Sequence, residues 1–241
     1  MKLALISDVH ANLEALDATL ADIARHAVDR IVCLGDIVGY NRDAAECIAR
    51  IRSADCICVA GNHDLAVCGR ITTESFPAAA ARMIAWTRQH LSPNDLDFLA
   101  GLPGKAIVSG ELVAVHGALH PEQNSESVRL DNDDHRILSF IALMGHTSGA
   151  HICAFGHTHR AGVYEWRNDH VVARADQEIA LERNRYYLIN PGTVGEPRAF
   201  DRRPTYMLLD LARRTLSIHH VEQAASAARF GLTALSGKRP R

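Results

Sequence analysis

The stretch Cys56-Ile57-Cys58-Val59-Ala60-Gly61-Asn62-His63-Asp64 joins a short apolar run to four residues that can take part in chemistry. The apolar run is typical of a buried strand, and Gly61 allows the chain to turn where the strand ends. The amide oxygen of Asn62 can bind a metal without adding charge, and the His63 imidazole can transfer a proton near neutral pH. Taken alone, the tetrapeptide is also an ordinary turn. Its meaning therefore depends on the chain around it.

The residues before this stretch alternate between apolar runs and helical patterns. Residues 3–6 and 30–34 are short apolar runs that predict buried strands. Apolar residues recur at helical spacing from 12 to about 25 and again from 44 to 51. The order strand, helix, strand, helix, strand predicts a parallel or mostly parallel sheet with helices on its faces.

The residues after this stretch fall into two parts. Up to residue 160 we expect two helices (76–90 and 93–99), a hairpin (106–115), a polar loop (118–135), another helix (135–144) and a buried strand (151–155). The later apolar runs have no helical pattern between them, which predicts a second, antiparallel sheet from residues 163–166, 170–173, 185–189, 206–209 and 216–218.

The absence of a linker-like stretch favours one α/β (α+β) domain over residues 1–241. We expect 1–160 to carry most functional motifs on βα units and 161–220 to be mainly antiparallel strands. Residues 221–241 are expected to be a C-terminal tail, and its basic end at 237–241 is typical of a frayed, solvated terminus.

The composition bounds the class of protein. The 241 residues carry 28 acidic and 26 basic side chains, a formal net charge of -2, which gives no electrostatic signal for nucleic acid or membrane binding. The six cysteines form no Cys-x-x-Cys pair, which favours a reducing compartment over a secreted disulfide scaffold. No apolar run approaches a membrane span or a signal segment, so we expect a cytoplasmic protein.

Seven side chains with metal-binding or acid–base chemistry follow the ends of five predicted strands: Asp8, His10, Asp36, Asn62, His116, His157 and His159. In open α/β sheets, ligands collect beyond the carboxyl ends of the strands, so we expect these side chains to share one edge. Oxygen and imidazole ligands without thiolate suit Mn, Fe, Zn, Co or Ni. Seven groups exceed the needs of one ion, but with a shared carboxylate they would fill two adjacent metal sites.

Each of these motifs also has a simpler interpretation when it is taken alone. Asp8-x-His10 could be a helix cap or a turn, and His116 could be a hydrogen-bonded core histidine. His157 and His159 alternate along an extended segment and could point to opposite faces. The functional interpretation depends on all five strand ends converging.

Together, Asp8-x-His10, Gly35-Asp36, Gly61-Asn62-His63-Asp64, His116 and Gly156-His157-x-His159 resemble the calcineurin-like metallophosphoesterase superfamily, in the family's order over residues 4–159. The resemblance implies a four-layer β-sandwich of two mixed sheets flanked by helices. It assigns one metal to Asp8, His10, Asp36 and His159, and a second to Asp36 (bridging), Asn62, His116 and His157. Two such ions, with Mn favoured, would activate a hydroxide and clamp phosphate oxygens. His63 would protonate the leaving group.

The sequence departs from the phosphoprotein phosphatases of this superfamily, which carry Gly-Asp-x-Val-Asp-Arg-Gly after the second strand. Here residues 35–41 are Gly-Asp-Ile-Val-Gly-Tyr-Asn, so Gly39 replaces the Asp that would orient the catalytic histidine, and Tyr40 replaces the phosphate-binding Arg. Asp64 could position His63 instead, or merely cap the next segment. The departure weakens a protein phosphatase or dinucleoside tetraphosphatase interpretation.

The chain is more similar to the small bacterial and archaeal phosphodiesterase branch. Residues 190–198, Asn-Pro-Gly-Thr-Val-Gly-Glu-Pro-Arg, are similar to a stretch near the C-terminus of that branch. From this similarity, Arg198 is a candidate cation for substrate phosphate and Asn12 a candidate polar contact near the metals.

We therefore expect a metal-dependent phosphohydrolase that cleaves a phosphodiester or phosphomonoester, nucleotides among them. The alternatives are a non-catalytic scaffold on the same fold, as in the retromer scaffold subunit, a dinucleoside polyphosphate hydrolase or a protein phosphatase. Scaffolds lose ligands or the histidine at position 63, whereas this chain keeps them all. The expected partner is a phosphorylated small molecule or nucleotide, without membrane or strong nucleic-acid binding. An exposed strand edge could pair in a homo-oligomer.

Overall fold

The structure, a computed structural model, describes residues 1–119, 125–198 and 200–222. From residue 223 onward, the predicted tail 221–241 with its basic end lies outside the described residues. Among the residues described, no helix is long and apolar enough to cross a membrane. The division into a single domain over 1–241 stays a prediction.

The first part of the chain alternates strands and helices as the sequence predicts. Its elements are β1 (Lys2–Ile6), α1 (Leu13–Ile23) followed by a 3₁₀ turn (Ala24–His26), β2 (Arg30–Cys33), α2 (Ala44–Ser53) and β3 (Ile57–Cys58). β1 pairs with β2 in parallel, and β2 pairs with β3 in parallel. The parallel core predicted from the alternating pattern is therefore confirmed.

The middle of the chain contains one helix, α3 (Asn62–Val67), that the sequence pattern does not predict. The other elements of this part are α4 (Ala78–His90), α5 (Pro93–Gly101), the hairpin β4 (Lys105–Val108) and β5 (Leu112–Val115), a 3₁₀ turn (Ser125–Ser127) and α6 (Asp133–Met144). The stretch interpreted as a turn at Gly61 is in fact the start of α3, with Gly61 at the N-cap. A helix of six residues is too short to show a hydrophobic period.

The remaining strands are β6 (Ile152–Ala154), β7 (Ala161–Arg167), β8 (His170–Arg174), β9 (Glu178–Ala180), β10 (Tyr186–Pro191), β11 (Thr205–Asp210) and β12 (Thr215–His220). The expectation that the strands after residue 160 form their own antiparallel sheet is wrong. One sheet has the order β3-β2-β1-β11-β12-β9, and the other has the order β4-β5-β6-β10-β7-β8. Both sheets are mixed, because β11 runs antiparallel to β1 while β10 runs parallel to β6.

The C-terminal strands divide between the sheets for a physical reason. Without them, β1 and β6 would be edge strands with apolar side chains on both faces and unpaired backbone groups. β11 covers the edge of β1, with Leu3 opposite Leu209, and β10 covers the edge of β6, with Leu188 opposite Cys153. The edges that remain are β3, β9, β4 and β8. Pairing of such an edge in a homo-oligomer stays a prediction.

The core has three apolar layers. Leu3 and Leu5 of β1 pack between the two sheets, whereas Ala4 and Ile6 face α1 and α2. A third cluster packs α6, including Phe140, against the outer face of the second sheet. The protein is thus an α/β sandwich of two mixed six-stranded sheets flanked by helices, which confirms the predicted fold class.

A buried carboxylate joins three segments of the second sheet. Glu165 of β7 is fully buried. Its Oε2 lies 2.8 Å from Arg174 Nη1 of β8, and its Oε1 lies 3.3 Å from Arg167 Nε and 3.8 Å from Arg185 Nε, the residue before β10. A buried charge is tolerated in a protein only when it is paired in this way.

We expect Glu165→Ala to lower the free energy of unfolding by about 1–3 kcal/mol, because it removes the charged hydrogen bond from Arg174 and the buried ion pairs with Arg167 and Arg185. Urea denaturation at a fixed metal concentration measures the change. The matched control is Glu178→Ala, which removes an exposed carboxylate on β9. Equal urea midpoints for both variants and the wild type would contradict a stabilising role for the buried carboxylate.

Candidate active site

The loops after five strands meet at one edge of the sandwich. The backbone N–H groups of Asp8 and His10 donate to the carbonyls of Gly35 and Asp36, at 3.1 Å and 2.9 Å, which joins the loops after β1 and β2. The His157 N–H donates to Asp8 Oδ2 at 3.1 Å, so the loop after β6 crosses from the second sheet to the first. All seven side chains that the sequence singled out are brought together here.

One group consists of Asp8, His10 and His159. His10 Nε2 lies 3.1 Å from His159 Nε2, and Asp8 Oδ1 lies 3.2 Å from His159 Nε2 and 3.8 Å from His10 Nε2. One ligand atom from each residue lies within 4.8 Å of the others. The three atoms therefore surround a common point.

A second group consists of Asp36, His116 and His157, again with ligand atoms within 4.8 Å of one another. His116 Nε2 lies 3.3 Å from Asp36 Oδ2 and 3.1 Å from Asn62 Oδ1. Asp36 Oδ2 also lies 3.6 Å from His10 Nε2 of the first group. Asp36 is thus the carboxylate that both groups share.

The ring orientations fit metal coordination. Main-chain carbonyl oxygens accept hydrogen bonds from three Nδ1 atoms: that of His10 (to Val38, 3.2 Å), His116 (to Leu34, 2.7 Å) and His159 (to Glu196, 2.8 Å). A carbonyl can only accept, so each Nδ1 carries a hydrogen and each Nε2 faces the cluster. Two Nε2 lone pairs that face each other at 3.1 Å repel unless a proton or a cation lies between them.

The charge of the cluster also fits divalent cations. Burial works against ionisation of Asp8 and Asp36, but the imidazoles of His159 and His116 hold the pKa of each carboxyl below its usual range. Burial lowers the pKa of His10 well below its usual value and that of His157 to about 3, so both rings are neutral. Asp8 Oδ1 is buried without a hydrogen-bond partner within the described part of the chain. Buried carboxylates with neutral imidazoles are a suitable donor set.

His116 is held differently from the other imidazoles. Burial works against its protonation, but the Asp36 carboxylate raises the pKa of His116 to about 10. A metal ion at the second group would therefore displace a proton from this ring, as is usual when histidine becomes a ligand.

The backbone at the cluster is strained. Five of the candidate ligands have φ angles in the left-handed region: Asp8 (54°), His10 (49°), Asp36 (53°), His157 (64°) and His159 (60°). Such conformations cost about 1–3 kcal/mol each and persist when the surrounding structure holds them. Here the hydrogen bonds between the loops hold these left-handed conformations, and the conformations direct the side chains toward the cluster.

His63 lies beside the cluster, and its ring is not oriented by a hydrogen bond from Nδ1 to a carbonyl of the described residues. Its backbone N–H donates to Asp36 Oδ1 at 2.8 Å. Its ring packs against Tyr40 and Phe76, with centroid distances of 4.7 Å and 5.1 Å. Burial lowers the pKa of His63, so its imidazolium form would release a proton readily. His63 also has a ligand atom within 4.8 Å of those of His10 and Asp36, so a ligand role has to be tested.

Gly39 decides how His63 is held. A Cβ atom at Gly39 would lie 2.4 Å from His63 Nδ1, and the φ angle of Gly39 is +103°. His63 Nδ1 is buried and has no hydrogen-bond partner among the described residues. The ring therefore occupies the space of a side chain at position 39, and aromatic packing takes the place of an orienting carboxylate.

Asp64 caps α3. Its Oδ2 accepts from the Gly61 N–H at 3.0 Å, and its Oδ1 accepts from the Val38 N–H at 3.1 Å. Burial and the nearby Asp36 carboxylate raise the pKa of Asp64 to about 7. Of the two alternatives that the sequence left open, capping is therefore what the structure shows. The same carboxylate fixes the loop that carries Gly39.

The two predicted substrate contacts lie in different places. Asn12 caps α1 through Oδ1, and its Nδ2 donates to the Gly195 carbonyl at 3.0 Å, so its side chain is occupied by structural hydrogen bonds. It does not line the pocket above the cluster. Arg198 does line that pocket, and its Nη2 donates to the Tyr40 hydroxyl at 3.3 Å.

The pocket has a volume of about 350 Å³ and is lined by Asp36, Tyr40, Asn62, His63, Ser75, Phe76, Pro77, Ser127, Arg129, His157, His159 and Arg198. Two of these lining residues, Arg129 and Phe76, belong to none of the motifs in the sequence. Arg129 Nη1 donates to the His157 carbonyl at 3.0 Å, from a loop whose polar composition carries no motif. No pattern in the sequence relates either residue to the cluster.

Comparisons with known proteins identify the family of the chain. Residues 1–214 match the family model of the calcineurin-like phosphoesterase superfamily domain. An uncharacterised protein of Methanocaldococcus jannaschii is 32% identical over 228 residues, which cover 91% of this chain and 87% of that protein.

Solved structures have the same fold. A metallophosphoesterase from Sphaerobacter thermophilus has a TM-score of 0.76 and 35% identity, over 93% of this chain and 89% of that chain. A hypothetical protein from Pyrococcus horikoshii OT3 has a TM-score of 0.70 and 16% identity over the same shares, 93% and 89%, and shows the fold alone. By its family match and its relatives, the chain belongs to the calcineurin-like phosphoesterase superfamily.

Proposed function

We propose that the protein is a metal-dependent phosphohydrolase that cleaves a phosphodiester or phosphomonoester, nucleotides among its candidate substrates. The observation that carries the proposal is the pair of facing Nε2 atoms of His10 and His159, 3.1 Å apart, beside an unpartnered Asp8 Oδ1. In a buried site this arrangement is unfavourable without a proton or a cation between the two nitrogens, and a divalent cation would also serve the Asp8 carboxylate beside them. Members of the superfamily to which the chain belongs act on phosphoesters.

Two divalent ions, with Mn favoured, would be held by two sets of residues that share Asp36. Asp8, His10, Asp36 and His159 would hold one ion, and Asp36, Asn62, His116 and His157 would hold the other. Asn62 would contribute an oxygen without charge, which would leave the site better able to bind an anionic substrate. Ions held there would polarise phosphate oxygens and lower the pKa of a bound water.

His63 would protonate the leaving-group oxygen. Its backbone is tied to Asp36, and its ring faces the pocket between Tyr40 and Phe76. A general acid must reach the leaving oxygen within hydrogen-bond distance, and the position of His63 beside the shared carboxylate supports this role. No covalent intermediate is required.

Arg198 would bind substrate phosphate. Tyr40 stands where phosphoprotein phosphatases have an arginine, and Arg198 reaches the Tyr40 hydroxyl from the loop that follows β10. Within the described residues, Arg198 forms no ion pair with a carboxylate within 4.0 Å, although it is a cation on a pocket wall. An unpaired guanidinium at this place suits a phosphate oxygen.

We expect the purified protein with added Mn²⁺ to hydrolyse p-nitrophenyl phosphate or bis-p-nitrophenyl phosphate, because the ligand set is complete. A chelator should abolish release of p-nitrophenol, and excess Mn²⁺ should restore it. Inactivity with Mn, Fe, Zn, Co and Ni on both substrates would favour the non-catalytic scaffold.

We expect His63→Asn to lower kcat by about 10²–10⁴-fold while the metal content per chain stays the same, because the imidazole would transfer a proton without binding an ion. Metal analysis by mass spectrometry and steady-state kinetics measure the two quantities. His116→Asn is the matched control, and it should lose metal as well as activity. An equal loss of metal in both variants would show that His63 is a ligand.

We expect Arg198→Ala to lower kcat/KM on p-nitrophenyl phosphate about tenfold, because a charged hydrogen bond to phosphate is lost. Arg202→Ala is the control: Arg202 is exposed on the same loop and donates to the Pro197 carbonyl. Unchanged kinetics of Arg198→Ala on every phosphoester tested would remove the proposed role.

A further inference from the structure

We propose that Phe76 and Tyr40 form a binding site for the leaving group, and that the protein therefore prefers phosphoesters whose leaving group carries a planar ring. The inference rests on the proposed function, since a leaving group exists only if a phosphoester is cleaved. It assigns a substrate class to a wall of the pocket that has no role in the chemistry so far.

The first observation is the position of the two rings. Both Phe76 and Tyr40 line the pocket of about 350 Å³ above the metal-ligand cluster. Phe76 lies just before α4 and is held by a backbone hydrogen bond from its N–H to the Thr73 carbonyl at 3.0 Å. Both rings are only partly buried, so each keeps surface that a ligand can cover. Partly exposed aromatic rings in a polar pocket are suited to stacking against another ring.

The second observation relates the rings to the proton donor. The His63 ring has its centroid 5.1 Å from that of Phe76, at an interplanar angle of 83°, and 4.7 Å from that of Tyr40. The oxygen that His63 protonates must lie within hydrogen-bond reach of its ring. Because that oxygen belongs to the leaving group, the leaving group lies on the side of Phe76 and Tyr40.

The third observation is the polar part of the same pocket lining. Arg129 lines the pocket and donates to the His157 carbonyl at 3.0 Å, so it lies beside the second group of ligands. Ser127, from the same loop, adds a hydroxyl. These groups suit phosphate oxygens or a polar substituent that stays on phosphorus. Together with Arg198 beside Tyr40, they give the pocket two cations as well as two aromatic rings.

The size of the pocket limits the leaving group. A volume of about 350 Å³ is at the lower end of the range for small-molecule sites. Such a volume suits one phosphoryl group with one ring system. The shared chemistry is a planar ring, which a nucleoside or a simple aryl alcohol could supply.

The test compares kcat/KM of the wild type and Phe76→Leu on three substrates: 1-naphthyl phosphate, adenosine 5′-monophosphate and glycerol 2-phosphate, which has no ring. The ratio of kcat/KM between wild type and variant is taken for each substrate separately, so differences in leaving-group reactivity between substrates cancel. We expect kcat/KM on the ring substrates to fall about 3- to 10-fold more than on glycerol 2-phosphate, from the loss of ring stacking. Phe76→Tyr should keep the preference. If kcat/KM falls selectively on both adenosine 5′-monophosphate and 1-naphthyl phosphate, the site accepts a nucleoside. If kcat/KM falls selectively on 1-naphthyl phosphate alone, the site accepts an aryl group.

Phe98→Leu is the matched control, since Phe98 packs under Arg52 away from the pocket, and it should leave the preference unchanged. An equal fall on all three substrates would overturn the proposal, because Phe76 would then act only by packing against His63. Unchanged kinetics of Phe76→Leu would overturn it as well.

A binding measurement separates this proposal from the proposed function. Naphthalene fluorescence can follow binding of 1-naphthyl phosphate to metal-loaded His63→Asn and to His63→Asn combined with Phe76→Leu. Weaker binding by the double variant supports the ring site even if no phosphoester is hydrolysed, in which case the proposed function alone fails. Equal binding by the two variants would overturn the ring site.

Discussion

The carboxylate of Asp36 is the constraint on which the rest of the site depends. Its Oδ1 accepts the His63 backbone N–H, and its Oδ2 lies within 3.3 Å of His116 Nε2 and 3.6 Å of His10 Nε2. A buried carboxylate needs such partners, and they come from the ends of β1, β3 and β5. Gly61 is required for the same reason, because a Cβ atom there would lie 2.1 Å from Asp36 Oδ1. Loops from both sheets therefore meet at the Asp36 carboxylate.

A loop from the C-terminal half of the chain stabilises this edge of the sandwich. Since β10 joins the second sheet and β11 joins the first, the loop between them passes directly over the site. Its backbone N–H groups at Val194 and Gly195 donate to the carbonyls of Ser7 and Asp8, both at 2.9 Å. The Glu196 carbonyl accepts from His159 Nδ1, and Arg198 follows two residues later. Because β10 and β11 belong to different sheets, the loop between them holds the loop after β1 in its strained form. The same loop brings the Arg198 guanidinium to the pocket.

The loop at Gly39 shows how one residue changes the surroundings of a histidine. Without a side chain at position 39, the His63 ring occupies that space and packs between two aromatic rings. The Asp64 carboxylate is then used to hold the backbone at Val38 and Gly61. Packing fixes the ring plane without a hydrogen bond to Nδ1. It also places aromatic surface beside the expected leaving group, and part of that surface is Tyr40, which stands where phosphoprotein phosphatases have an arginine.

The sequence by itself determined the parallel βαβ core, the fold class and the residues that gather at the strand ends, because each depends on local periodicity and on the rule that parallel strands end at one edge. The metal and proton-donor roles of those residues stay proposals. Only the tertiary structure decided that β9, β11 and β12 join the first sheet, that Asp64 is a cap, that Asn12 is held away from the pocket, and that Arg129 and Phe76 line it. The physical reason is that these features are contacts between residues far apart in the chain, set by edge pairing, packing and left-handed turns that no local pattern records.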